Sequence, residues 1–274
     1  MSRTTILVDG LQFPECPRWR DGRLWFSDVH AHRVCSVGPG GDVEVVLELD
    51  DRPTGLGFLP DGSLLVCSAD RRLVLRLHDG QTTVHADLGS LPVEWLNDMV
   101  VTPDGRAYVD AIAHVEDPGG DEPVDKIVVV DPDGAWRVAA ERALRPNGIA
   151  VTPDGATLLH ASTRRRKVIE WTIGAEGLLH DPRVWAETGR WTPDGLCLDA
   201  EGAVWIGALA KQHFVRMRRG GEVDSTIEVP GRWATACMLG GDDRQTLFMA
   251  TADPDSGRGY IEIAETAVAG AGSP

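Results

Sequence analysis

Apolar and polar positions alternate along this chain in short runs, not at helical spacing. Six times an apolar run meets a tight turn and a second apolar run follows. The six copies are PRWRDGRLWFSD from Pro17, GLGFLPDGSLLVCS from Gly55, NDMVVTPDGRAYVD from Asn97, NGIAVTPDGATLLHAS from Asn147, DGLCLDAEGAVWIGA from Asp194 and TACMLGGDDRQTLFMATA from Thr235. Asp-Gly and Pro-Asp-Gly between β-prone runs are hairpin signals. The turn glycines are Gly22, Gly62, Gly105, Gly155 and Gly202, with Arg244 near the sixth equivalent, so the period is 40 to 50 residues. Further strand-like runs follow each hairpin, such as LVLRL from Leu73, KIVVV from Lys126 and KVIEW from Lys167. A period of this length with four short strands predicts an all-β fold, a six-bladed β-propeller. The last repeat holds only three strands. TTILVD from Thr4 is expected to supply the fourth, closing the last blade with the N-terminal strand and removing free edges. The expected organisation is a single β-propeller domain over residues 1–274, with a core of about 4–264 and a short C-terminal tail.

Composition narrows the function classes. The chain has 274 residues and a formal net charge of −15, which argues against nucleic-acid backbones and anionic membrane surfaces as partners. No apolar run approaches the roughly 20 residues that span a bilayer. The N-terminal MSRTTILVDGL lacks the apolar core of a signal peptide, so a cytoplasmic location is expected. The five cysteines, Cys16, Cys35, Cys67, Cys197 and Cys237, are odd in number and form no C-x-x-C pair. That disfavours a disulfide framework or a thiolate zinc site. No G-x-S-x-G, G-x-G-x-x-G or Walker pattern is present, so neither a serine hydrolase nor a nucleotide site is expected.

The innermost strand of a propeller blade lines the axis. About seven residues before each turn lie Glu15, Thr54, Asn97, Asn147, Asp194 and Thr235, all polar within mostly apolar runs. They are expected to ring one mouth of the central tunnel. Glu15, Asn97, Asn147 and Asp194 make an oxygen-donor set with two formal negative charges, suited to Ca²⁺ or Mg²⁺, with Mn²⁺ and Zn²⁺ as alternatives. A solvated channel lined with polar groups is the plainer reading of the same residues.

At these positions the chain resembles the senescence marker protein / gluconolactonase / regucalcin-like family. The resemblance rests on FPECPRW, RPTGLGFLPDG, WLNDMVV, RPNGIAVTPDG, TPDGLCLDAEGAVWIG and ACMLGGDDRQTLFMATA, in order, over roughly residues 11 to 264. It implies a six-bladed propeller with one divalent metal ion near the axis, Ca²⁺ foremost. It also implies direct ligands at Glu15, Asn147 and Asp194, with Asn97 ligating more weakly or binding substrate. Asp194 is the implied general base, and the implied activity is hydrolysis of a lactone. Such an ion polarises a carbonyl or lowers the pKa of a bound water.

The sequence departs from that family at Trp95, where sugar lactonases often carry an arginine; an aromatic face there disfavours a gluconolactone-like substrate. Strand alternation places the loops after each second strand around the ring. They carry His30, His32, His114 and His213, with His160 just before one of them. His114 and His213 are candidate acid/base groups, and Thr54, Trp95 and His30 candidate substrate contacts. The insertion from Ala113 to Asp125 is a candidate lid, and the basic run Arg164 to Lys167 a candidate anion site or a solvated loop. Asp104 and Asp154 belong to turn chemistry at the far end. The expected reaction is metal-dependent hydrolysis of a lactone or small cyclic ester by a monomer or weak homodimer acting on a small molecule. Two rivals share the residues: a non-hydrolytic enzyme such as an isomerase or cyclase, and a noncatalytic calcium-binding or interaction propeller.

Overall fold

The computed structural model describes residues 4–113 and 124–272. Among them stand six antiparallel four-stranded sheets whose inner strands pack side by side around one axis. From the inside outward, blade 1 comprises Pro14–Arg20, Arg23–Asp28, Arg33–Val37 and Val43–Glu48. The inner strands of blades 2 to 6 are Pro53–Phe58, Trp95–Val101, Pro146–Val151, Pro193–Leu198 and Trp233–Gly240. This is the six-bladed propeller the repeat predicts. Its closure is also as expected: Thr5–Leu11 is the outermost strand of blade 6 and pairs antiparallel with Gly259–Glu265, Thr5 opposite Ile263 and Leu11 opposite Gly259.

The core lies between blades. Second strands such as Leu64–Ser68 and Val204–Ala208 are buried throughout, whereas most of the outermost Val43–Glu48 and Val223–Glu228 is exposed. Phe26, Trp205, Phe214, Cys237 and Met249, from three blades, share one cluster. Burying each such large side chain contributes about 1.5–3 kcal/mol. Trp25 packs edge-on against Phe58 of the next blade at 5.2 Å. All five cysteines are buried and free.

Turn chemistry follows the sequence closely. Gly105 takes φ +86°, and Arg244, at the sixth turn, adopts the same left-handed region at φ +58°. Asp154 accepts from the Thr152 hydroxyl at 2.6 Å and the Ala156 amide at 3.0 Å, so its carboxylate organises the turn at the far end of the strand. At that same end the tail docks on blade 5: Ala200 N donates to Ala269 O and Ala271 N to Leu198 O. Among the described residues no helix is long and apolar enough to cross a membrane.

Candidate active site

Each ring residue sits at a break in strand register. In blade 1 pairing jumps from Glu15–Ser27 to Arg18–Trp25, leaving one extra residue on the inner strand. The same jump separates Leu96–Ala111 from Met99–Val109, Pro146–Ser162 from Ile149–His160, and Pro193–Ala208 from Leu196–Ile206. These breaks hold Asn97, Asn147 and Asp194. A β-bulge frees one residue from the ladder and re-aims its side chain. Here it lets polar groups turn toward the axis inside otherwise apolar strands. The following residue is often glycine because neighbouring inner strands converge there. A Cβ on Gly148 would lie 2.2 Å from Leu196 N, and one on Gly195 2.4 Å from Ala236 Cβ.

The structure brings Glu15, Asn147 and Asp194 together. Asp194 is only 5% exposed. Burial first, and the nearby Asp98 charge second, push its carboxyl up to about 7, while a hydrogen bond from the Asn147 side chain works in the opposite direction. Glu15 is half-buried. Desolvation raises it well above the usual carboxylate range, and the charges of Asp194 and Asp98 add to that, against a backbone hydrogen bond at Cys16. Carboxylates that disfavour each other's ionisation in a poorly solvated site are relieved by a cation between them. With the amides of Asn147 and Asn97, whose bulge is the equivalent one in blade 3, the donors are all oxygens. A hard divalent ion fits that chemistry. Among the described residues no three His, Cys, Asp or Glu side chains group as a cation site. The set here is two carboxylates and two amides.

The two ring threonines have structural partners. Thr54, 6% exposed, donates its hydroxyl to Leu96 O of the next blade at 3.0 Å. Thr235 reaches Pro14 O at 3.1 Å and Ala250 O at 3.0 Å. Both hydroxyls brace the ring of inner strands.

Around the mouth the side chains are aromatic and cationic. The Arg145 guanidinium lies over the Trp95 ring, 5.8 Å from its centroid. The exposed His30 stacks on Phe13 at 5.0 Å, and Phe13 meets Trp233 edge-on at 6.4 Å. His213 tilts against Trp191 at 5.3 Å, and its Nδ1 lies 2.6 Å from Lys211 O, so that nitrogen carries the proton. His160 is fully buried inside blade 4 rather than on the rim. Its Nε2 donates to Ala143 O and its Nδ1 accepts from Trp171 Nε1, and burial lowers its pKa to about 4. His114, with residues 114–123 of the expected lid, falls outside the described residues. Arg164, Arg165 and Arg166 are exposed, and Lys167 pairs with Glu187 at 2.8 Å.

Three buried charged residues escape a reading based on the ring alone. Asp98 follows Asn97 and accepts from Arg18 Nη2 at 2.7 Å. Asp110 is fully buried with neither oxygen hydrogen-bonded among the described residues, and burial raises its pKa well above the carboxylate range, with Asp98 and Asp125 contributing. A signal for Asp98 was present in the repeats. The residue after each ring position is Cys16, Gly55, Asp98, Gly148, Gly195 and Ala236, and only one of these is charged.

Comparison with known proteins gives the family. Residues 13–253 match the model of the SMP-30/gluconolactonase/LRE-like region. The chain belongs to the SMP-30/gluconolactonase family. Within reach of this family member, 6-deoxy-6-sulfogluconolactonase of Pseudomonas putida is 25% identical over 263 residues, 93% of this chain and 88% of that protein. Pentonolactonase of Haloferax volcanii is 24% identical over 260 residues, 93% of this chain and 87% of that protein. The crystal structure of a calcium-binding protein, regucalcin, from Agrobacterium tumefaciens superposes with a TM-score of 0.81 at 20% identity, covering 97% of this chain and 95% of that one. That likeness is one of fold.

Proposed function

We propose that this protein hydrolyses a lactone or small cyclic ester at a divalent cation held by Glu15, Asn147 and Asp194, with Asn97 ligating or binding substrate. The observation that carries the reading is the shared, poorly solvated position of the Glu15 and Asp194 carboxyls, with Asn147 hydrogen-bonded to Asp194. The names of the lactonase relatives support the reaction class, and the calcium-binding regucalcin supports Ca²⁺ over Mg²⁺, Mn²⁺ or Zn²⁺.

A bound cation supplies Lewis acidity toward the ester carbonyl and makes water a better nucleophile. The chain's own groups supply the rest. Asp194 is the group to take the proton from attacking water at its carboxylate oxygen, since a carboxylate within hydrogen-bond reach of that water acts as a general base. Asn147 orients Asp194 through their hydrogen bond. The Asn97 amide is placed to hold a substrate oxygen. Trp95, Phe13 and Trp233 give the mouth apolar faces that exclude water and favour a substrate with an apolar side over a bare polyol. His213 and His30, on aromatic partners at the rim, are polar contacts for the same substrate, and His213 is the alternative proton carrier.

The test is metal content and turnover measured together, on protein as purified, after chelation, and after Ca²⁺ is restored, with lactones from sugar lactones to aryl and acyl rings. Turnover that vanishes on chelation and returns with Ca²⁺ is expected. Full activity in the chelated protein would overturn the mechanism. A bound ion with no turnover across the panel would instead select a non-hydrolytic reaction at the same residues, the reading that the aromatic mouth favours second.

A further inference from the structure

Beside the ring of candidate ligands, Arg18 leaves blade 1 and reaches blades 2 and 3. It is 3% exposed, and its partners lie in three blades. Nη1 donates to Pro17 O at 2.8 Å and Nε to Leu56 O of blade 2 at 3.1 Å. Nη2 donates to Met99 O and, at 2.7 Å, to Asp98 Oδ1 of blade 3. Asp98, 4% exposed, is a junction in turn. Its Oδ1 also accepts from Met99 N at 2.7 Å, and its Oδ2 from Ile149 N of blade 4 at 3.4 Å.

The sequence positions of these partners matter. Arg18 is three residues past Glu15, Asp98 is next to Asn97, and Ile149 is two residues past Asn147. One ion pair thus joins the three inner strands that carry three of the four candidate ligands, each within a turn of the ladder from its ligand. At the position of Asp98, blades 2, 4 and 5 have glycine, and a Cβ there would strike the neighbouring strand at 2.6 Å or less. Blade 3 departs from this close-packed pattern and places a carboxylate where Arg18 reaches it. At the position of Arg18, the other five blades have Gly57, Val100, Ala150, Cys197 and Met238. Bidentate-capable, planar and permanently charged, a guanidinium is the side chain able to satisfy a carboxylate and several carbonyls at once.

We infer that Arg18 and Asp98 are positioning residues for the cation site: their pairing sets the spacing of Glu15, Asn97 and Asn147. The inference rests on the metal-site reading above. Outer partners that hold ligands in place commonly change metal affinity 10- to 100-fold when removed.

The pair offers a test in which positioning and simple charge predict different outcomes. Arg18→Met removes a positive charge near the ring, which by Coulomb attraction alone tightens cation binding. Asp98→Asn removes a negative charge and alone loosens it. If the pair sets ligand spacing, both variants lose affinity. The measurement is Ca²⁺ titration calorimetry of the purified full chain, with circular dichroism and thermal melting confirming that each variant folds. Both dissociation constants are expected to rise about tenfold or more. Arg18→Lys keeps the charge without the three-blade reach and is expected to fall between wild type and Arg18→Met. Should Arg18→Met fail to fold, the near-isosteric Asp98→Asn and the Arg18→Lys variant carry the test together. For Arg18→Lys, which preserves charge, wild-type affinity would overturn the inference. Arg18→Met binding Ca²⁺ as tightly as wild type, or more tightly, would overturn it while leaving the metal site intact. A wild-type protein that binds no divalent ion would overturn the metal-site reading itself, and this inference with it.

Discussion

The Asn147 side chain lies against the Asp194 carboxyl across the junction of blades 4 and 5 and counters the rise that burial gives its pKa. The contact ties two candidate ligands into one unit. Hydrogen bonds to charged groups contribute about 1.5–3 kcal/mol. Asn147→Ala is therefore expected to lower kcat/KM for the best lactone by 10- to 100-fold or more while far-UV circular dichroism stays unchanged. Steady-state kinetics with the restored Ca²⁺ form checks this, and wild-type kinetics in the variant would remove Asn147 from the site.

Asp194 and Glu15 also make stability depend on pH in a defined direction. Their folded-state pKa values are raised, Asp194 to about 7. Raised carboxyl pKa values give stability that is complete below the unfolded value, near 4, and is lost as pH rises through the folded value. The cation-free protein is thus expected to gain stability from Asp194→Asn at pH 8, on the order of 2 kcal/mol, and little at pH 4. Catalysis in that variant is expected to fall by at least about a hundredfold. Because protons and a cation compete for the same oxygens, the rise in Tm on adding Ca²⁺ is expected to be larger at pH 8 than at pH 5.5. Thermal melts of both proteins with and without Ca²⁺ from pH 4 to pH 8 test the two stability statements, and steady-state kinetics tests the third.

His160 carries the opposite pH dependence. Its folded pKa lies at about 4, lowered by burial from 6.5. A lowered histidine pKa gives stability that is present above 6.5 and is lost as pH falls toward 4, here about 2 kcal/mol between pH 7.5 and pH 5. His160→Gln should flatten the wild-type loss over this window. Denaturant unfolding at several pH values measures it, and an unchanged slope in the variant would place the acid sensitivity elsewhere.

The convergence of inner strands predicts a backbone effect on the site. A methyl on Gly148 meets Leu196 N at 2.2 Å, and backbone cannot swing aside as a side chain does. Overpacking of this kind costs about 1–3 kcal/mol. Gly148→Ala is expected to lower Tm by several degrees, roughly 2–4 °C for each kcal/mol. It is also expected to weaken Ca²⁺ binding, because Asn147 and Asp194 flank the displaced strands. Melting and calorimetry on the same preparation link the two effects.

Much of this molecule was legible in its amino acids because the relevant physics is local. Turns need Asp-Gly chemistry, strands need alternation, and six copies of both define the blades and leave Thr4 onward to close the last one. The polar ring was legible too, since Glu15, Asn97, Asn147 and Asp194 recur at one place in the repeat. Local pattern did not reveal how each ring residue is aimed, because that depends on bulges opposite the second strands. It did not separate Thr54 and Thr235, whose hydroxyls bind carbonyls of adjacent strands, from the candidate ligands beside them. It set His160 beside the rim, whereas its neighbours bury it against Trp171. Arg18 and Asp98 are 80 residues apart, and although Asp98 alone is charged at its place in the repeat, no local pattern names Arg18 as its partner. Only closure of the propeller, which brings every inner strand to one axis, decides that they meet beside the ring. The sequence by itself therefore determined the repeat, its closure and the identity of the polar ring. Tertiary structure decided which polar groups face one another, because long-range packing sets their burial, partners and charge.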